Sequence, residues 1–155
     1  RLVVIGQCGV GKTALIKKFT KDEFIEEYKC TAKDSTEDSK LTLGLWTYTV
    51  KITNIGSEDA YRDNTIRDSN SFLLVYDTCN QSSLKKIPVL FPKIHEARVA
   101  IEGGSLNSTS IAPPLPSVVV VGTKSNRIDE RKVTTKKGRM VAKGLDCEFC
   151  EVTAK

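Results

Sequence analysis

Lys12 and Thr13 stand behind three glycines in the octet Gly6, Gln7, Cys8, Gly9, Val10, Gly11, Lys12 and Thr13. An ammonium and a hydroxyl following a glycine-rich turn suit the holding of a polyphosphate. The glycines let backbone N–H groups turn inward on an anion, Lys12 can reach the outer phosphates, and Thr13 can offer its hydroxyl oxygen to a magnesium ion. A Gly-x4-Gly-Lys-Thr pattern also arises by chance, so its force comes from context. Leu2, Val3, Val4 and Ile5 read as a buried strand before it, and Ala14, Leu15, Ile16 and Phe19 open a helix after it. The helix N-terminus adds a partial positive charge of its own. That strand, loop and helix order favours a phosphate loop over an ordinary glycine turn.

The elements that must position this loop follow in alternation. After the first helix, residues 22–31 are polar and aperiodic and read as a loop over the phosphates. Residues 36–43 and 45–53 are strand-like on either side of Gly44, which predicts a β-hairpin. Residues 54–70 are polar, with a short helical stretch at 61–67, and residues 71–77 form a continuous apolar run expected to be a buried parallel strand. A helical period runs through residues 83–102, interrupted by Pro88 and Pro92. Each proline removes a donor and crowds the preceding turn at a cost of about 3 kcal/mol, so the helix is expected to start near Pro88 or to kink there. Residues 103–117 are rich in Gly, Ser and Pro and are expected to be a flexible loop insertion. The strand 118–121, a helix over 134–143 and a last strand over 148–152 complete the pattern. Such alternation predicts an α/β fold: an open, mainly parallel sheet of about six strands with helices on both faces and one antiparallel hairpin strand. Ligands of such sheets bind at the carboxyl ends of the strands, where the phosphate loop lies.

The chain of 155 residues fits a single domain with one core. Its 24 Lys+Arg against 19 Asp+Glu leave +5 spread along the chain, which fits acidic partners or an anionic surface only weakly and gives no reason to expect nucleic acid. Cys8, Cys30, Cys79, Cys147 and Cys150 are scattered and odd in number, with no secretory signal before them, so a cytoplasmic setting is expected. Cys147 and Cys150 have C-x2-C spacing but no second pair, and the single histidine is His95, so they read as strand cysteines rather than metal ligands. No apolar run is long enough to span a bilayer. The chain opens directly on a strand and stops at Lys155, so both ends read as trimmed, and a lipid tail at the inner face of the plasma membrane would lie beyond them.

Taken in order, these motifs resemble the Ras-like small GTPases along essentially the whole chain. Residues 2–15 look like the family's first strand and phosphate loop, in which Gly6, Cys8, Gly9, Val10, Gly11, Lys12, Thr13 and Ala14 line the phosphates. Phe24, Tyr28 and Thr31 look like switch I; the resemblance implies that Phe24 packs on the base and that Thr31 joins Thr13 on magnesium. Residues 72–76 look like the central strand, Thr123, Lys124 and Asn126 like the base-recognition motif, and Thr153, Ala154 and Lys155 like the second base-contacting loop. What this implies is a switch binding GTP or GDP with magnesium in intracellular signalling, meeting effectors and regulators around residues 31–36 and 56–67. The P-loop kinases and ATPases fit less well, since neither a second substrate site nor an arginine-bearing lid is apparent.

Several residues depart from the family pattern. Its Asp-x-x-Gly is matched by Thr53, Asn54, Ile55 and Gly56, so Thr53 is expected where the carboxylate steadies the magnesium shell. Gly56 keeps the backbone N–H that faces a γ-phosphate. Ser57 replaces the glutamine that orients the attacking water and is too short for that role. Cys8 stands where the family's prototype has glycine and would crowd the γ-phosphate. Lys33, where many relatives are acidic, implies a different partner set. Asn126 replaces the aspartate whose two oxygens accept from guanine; an amide offers one acceptor and one donor. These departures predict slow hydrolysis and weakened guanine preference. The alternative is a pseudo-GTPase, an interaction module that keeps the fold and has lost hydrolysis or nucleotide binding.

Overall fold

The computed structural model describes residues 1–24, 34–56, 63–99 and 116–155. Six strands form one sheet: β1 (Leu2–Ile5), β2 (Ser35–Leu43), β3 (Trp46–Asn54), β4 (Ser71–Asp77), β5 (Ser117–Thr123) and β6 (Glu148–Glu151). The helices are α1 (Lys12–Lys21), α2 (Asp63–Arg67), α3 (Gln81–Val99) and α4 (Thr135–Gly144). Strand order is β2-β3-β1-β4-β5-β6, with β2 and β3 antiparallel and every other neighbouring pair parallel. This is the α/β architecture expected, with the hairpin strand β2 at one edge.

Strand parity divides the core. Val3, Ile5, Phe72, Leu74, Tyr76 and Val120 pack with Ile66, Leu84, Ile87 and Ile94 on the face covered by α2, α3 and α4. Their alternating neighbours Val4, Val75 and Val121 turn the other way and join Ile16 of α1, Val10 and Ile52. β1, β4 and β5 are therefore apolar on both faces, which is why they read as continuous apolar runs. The hairpin turns at Gly44, whose φ of 61° suits a glycine in a tight two-residue connection.

Two expectations change. The helix does not start near Pro88: α3 begins at Gln81 and carries both Pro88 and Pro92 inside it. Both prolines are exposed, four residues apart on the solvent face, while Leu84, Ile87, Leu90, Ile94 and Ala97 are buried. Carbonyls left without a partner on the outer face can turn to water, and burial of the inner face offsets the lost bonds. The Asn80 side chain also accepts from the Ser82 N–H at 3.0 Å, capping the helix start. Ser117, expected in the loop insertion, is the first residue of β5. The rest of that insertion lies outside the described residues apart from Pro116, as do Tyr28, Thr31, Lys33 and Ser57. Among the described residues, no helix is long and apolar enough to cross a membrane.

Candidate nucleotide site

β1 delivers the chain to Gly6, where a Cβ would lie 2.2 Å from the Val75 carbonyl oxygen, so only glycine allows the loop to leave between β1 and β4. Gly9 and Gly11 have φ of 83° and 96°, a left-handed region that L side chains avoid. The turn closes with Val10 N–H on the Gln7 carbonyl at 3.4 Å, and α1 begins with Leu15 N–H on the Gly11 carbonyl at 2.9 Å. Lys12 is buried, and its Nζ donates to the Gly6 carbonyl at 2.7 Å and to the Gln7 carbonyl at 3.2 Å. The loop thus folds around its own ammonium, at the carboxyl edge of the sheet. Cys8 is exposed on the same loop, and Ala14 lies in the first turn of α1.

The segment expected to recognise the base reaches the same edge from β5. The Thr123 hydroxyl donates to the Val10 carbonyl and, at 3.0 Å, to the Tyr76 carbonyl, tying the phosphate loop to β4 and β5. Lys124, at a φ of 58°, extends Nζ to the Gly9 carbonyl at 3.1 Å and to Asp77 Oδ2 at 2.6 Å. Asp77 carries no family signature in the sequence; its only signal is that it ends the β4 run at the sheet's carboxyl edge. From beyond β6, the Thr153 hydroxyl donates to Asn126 Oδ1 at 2.8 Å and accepts from the Lys155 N–H at 3.2 Å. Thr153, Ala154 and Lys155 are thereby brought beside Thr123, Lys124 and Asn126. Phe24 is described and exposed at the end of the segment following α1.

The residue beside Thr13 is Asn54, not Thr53. Asn54 Nδ2 donates to Thr13 Oγ1 at 2.9 Å, whereas the Thr53 hydroxyl pairs with that of Thr36 on β2 at 3.2 Å. Strand parity explains the difference: Ile52 packs toward α1, so Asn54, two residues on, faces α1 as well and Thr53 faces away. Alternation along β3 puts Asn54 on the same face as Ile52 in the sequence, but only the packing shows that this face meets α1. Asn54 is 2% exposed, and its Oδ1 is buried without a hydrogen-bond partner among the described residues. A buried acceptor beside the Thr13 hydroxyl fits a hydrated cation, since a metal-bound water could donate to it. It brings no negative charge, unlike a carboxylate. Gly56 also has a partner that the sequence did not suggest, its N–H donating to Asp34 Oδ1 at 2.9 Å.

Behind the base loops lies a polar cluster. Arg131 forks onto the two oxygens of Glu151 at 2.9 and 3.0 Å, and the Thr135 hydroxyl donates to the same carboxylate at 2.9 Å. Burial alone would raise the Glu151 pKa, but the hydrogen bonds from Arg131 and Thr135 hold it below the usual carboxylate value. The Tyr76 hydroxyl reaches Glu151 at 3.4 Å, and burial followed by that negative charge pushes the phenol above its usual value.

The comparisons with known proteins agree with this geometry. A model of the Ras family matches residues 1–155. The chain is 35% identical to Protein ras-2 of Neurospora crassa, an alignment covering all of the chain and 71% of that protein. It is 33% identical to Ras-like protein B of Aspergillus fumigatus, covering 100% of the chain and 70% of that protein. It is 31% identical to Ras-like protein rasS of Dictyostelium discoideum, covering 100% of the chain and 74% of that protein. A phosphate loop and two further loops that converge on one sheet edge, within a match running from end to end, establish that the chain belongs to the Ras family of small GTPases.

Proposed function

We propose that residues 1–155 act as one switch domain that binds guanine nucleotide with magnesium and hydrolyses GTP slowly. The observation that carries this reading is the Lys124 contact to Gly9, 3.1 Å long, which couples the base-recognition segment to the phosphate loop. Two loops held against each other in this way suit a ligand with a base at one end and phosphates at the other.

In this reading Lys12 leaves its contacts with Gly6 and Gln7 to neutralise the β- and γ-phosphates, and the backbone N–H groups of residues 9–13 bind their oxygens. Thr13 and Thr31 would hold magnesium, which supplies charge neutralisation on the phosphate oxygens. Phe24, Lys124, Asn126, Ala154 and Lys155 surround the base. The γ-phosphate has to win the Gly56 N–H from Asp34, so its arrival reshapes both ends of the effector region. Effectors and regulators are proposed to read residues 31–36 and 56–67.

Slow hydrolysis follows from chemistry lost. Ser57 is too short to orient water, Cys8 crowds the γ-phosphate, and the neutral Asn54 leaves the cation's surroundings short of one charge. The same neutrality at Asn54, with Asp34 already on Gly56, favours the pseudo-GTPase as a second reading. Denaturing the purified domain and separating the released nucleotide by ion exchange decides between them. GTP or GDP supports the switch. A domain that neither carries nucleotide nor binds it when supplied with excess magnesium rules the switch out.

A further inference from the structure

The Arg131 side chain makes contacts that no role in phosphate or metal binding uses. Nη2 donates to the Ser125 carbonyl at 3.3 Å, in the residue between Lys124 and Asn126. Nη1 donates to the Val133 carbonyl at 3.1 Å, and both nitrogens grip Glu151, which stands two residues before Thr153. Glu151 is held in turn by Thr135 on α4 and by Tyr76 on β4. The segment carrying Arg131 is itself anchored, because the Lys132 and Val133 N–H groups both donate to the Thr78 carbonyl, at 3.0 and 2.9 Å. One planar cation therefore joins the backbone of the first base loop to the strand end that launches the second.

We propose that Arg131, through Ser125 and Glu151, is a positioning residue for the base, setting the separation of the loop bearing Lys124 and Asn126 from the loop bearing Thr153 and Lys155. The inference rests on the guanine-nucleotide reading above. Direct bonds between the two loops, Ser125 N–H to the Val152 carbonyl at 3.3 Å and Thr153 to Asn126, lie on the same seam and depend on that separation. Lysine cannot replace the fork: an ammonium is a point donor and cannot satisfy two carboxylate oxygens and two carbonyls in one plane. The bonds of Arg131 go to Ser125, Val133 and Glu151 and leave the Lys124 link to Gly9 in place, so a disturbed clasp should be felt far more by the base than by the phosphates.

The test compares GDP with inorganic tripolyphosphate, which has no base, on the domain with magnesium. In Arg131→Lys, GDP dissociation should accelerate about tenfold, the scale of one lost charge-assisted hydrogen bond, with tripolyphosphate affinity unchanged. Glu151→Gln keeps the shape, removes the charge and should move the GDP rate in the same direction, which preserves the test if the lysine variant fails to fold. Equal weakening of both ligands, or an unchanged GDP rate in the folded variants, overturns the positioning role and leaves the nucleotide reading standing. An unsubstituted domain that binds tripolyphosphate and no guanine nucleotide overturns both.

Discussion

Asn54 donates its side-chain amide to the hydroxyl of Thr13 across 2.9 Å, joining the end of β3 to the first turn of α1. A carboxylate at that position would accept the hydroxyl proton of Thr13 and leave the oxygen's lone pairs for a cation. The amide occupies one lone pair and contributes no charge. On the proposed magnesium side of the site, this one side chain therefore sets both the local charge and the lone pairs left to a cation.

Asn54→Asp should tighten magnesium binding to the nucleotide complex about tenfold, since a charged acceptor is roughly twice as strong as a neutral one. Titration of the GDP complex with manganese, followed by electron paramagnetic resonance, reads this without catalysis. The unsubstituted domain should hydrolyse GTP more slowly than the family's prototype, below about 10⁻⁴ s⁻¹. Asn54→Asp combined with Ser57→Gln should raise the single-turnover rate above either change alone, and Thr53→Asp should not substitute for Asn54→Asp. Turnover by the unsubstituted domain as fast as an ordinary relative would mean that another residue positions the water.

Asn126 presents its oxygen to the Thr153 hydroxyl at 2.8 Å, which leaves its amide nitrogen for the base. A donor suits the C2 carbonyl of xanthine and opposes the C2 amino group of guanine. The domain should accordingly bind XTP better relative to GTP than an aspartate-bearing relative does, and Asn126→Asp should restore preference for GTP. The unsatisfied pair is worth about 1–3 kcal/mol, or roughly tenfold to a hundredfold in the ratio. A strong GTP preference in the unsubstituted domain, seen by competition binding, would refute the assignment.

Lys12→Ala should abolish nucleotide binding in calorimetry. It also removes the bonds from Lys12 to the Gly6 and Gln7 carbonyls within the loop. A circular dichroism melt alongside separates loss of ligand from loss of fold.

Gly138→Ala should destabilise the domain even though alanine favours a helix by about 1 kcal/mol over glycine. Its Cβ would lie 2.3 Å from the Tyr76 hydroxyl and 2.8 Å from Phe149, and Tyr76 is fully buried with no room to retreat. Overpacking of this kind costs about 1–3 kcal/mol, so the net effect is a loss, seen as a lower urea midpoint. A midpoint equal to or above that of the unsubstituted domain would show that α4 can move away from β4.

The pH dependence of stability should carry a signature of Glu151. Its folded pKa lies below the ordinary value of 4.5, so its contribution is fully present above that pH and is lost as the pH falls through the folded value. Glu151→Gln removes the contribution, and its denaturation midpoint should fall less between pH 5 and pH 3, taken roughly as the carboxylate range, than that of the unsubstituted domain. Parallel curves for the two proteins would exclude the effect.

The phosphate loop, the strand order's parallel core and the family were legible in the sequence because they depend on local features: glycines at fixed spacing, apolar runs buried on both faces, and short motifs at element ends. The segments carrying Thr123 to Asn126 and Thr153 to Lys155 were placed at element ends by the same local signals. What the sequence could not decide was which side chains meet across the sheet. Whether Thr53 or Asn54 faces Thr13 depends on the parity of β3 relative to α1. Whether a helix starts at Pro88 or carries it inside depends on how firmly Leu84, Ile87 and Leu90 are buried on the far side. The Asp77 pairing with Lys124 and the Arg131 grip on Ser125 and Glu151 join residues 20 or more positions apart on separate elements, except where Arg131 and Ser125 share one loop. Contacts of that kind exist only once β4, β5 and β6 are in register, and so belong to the tertiary structure alone.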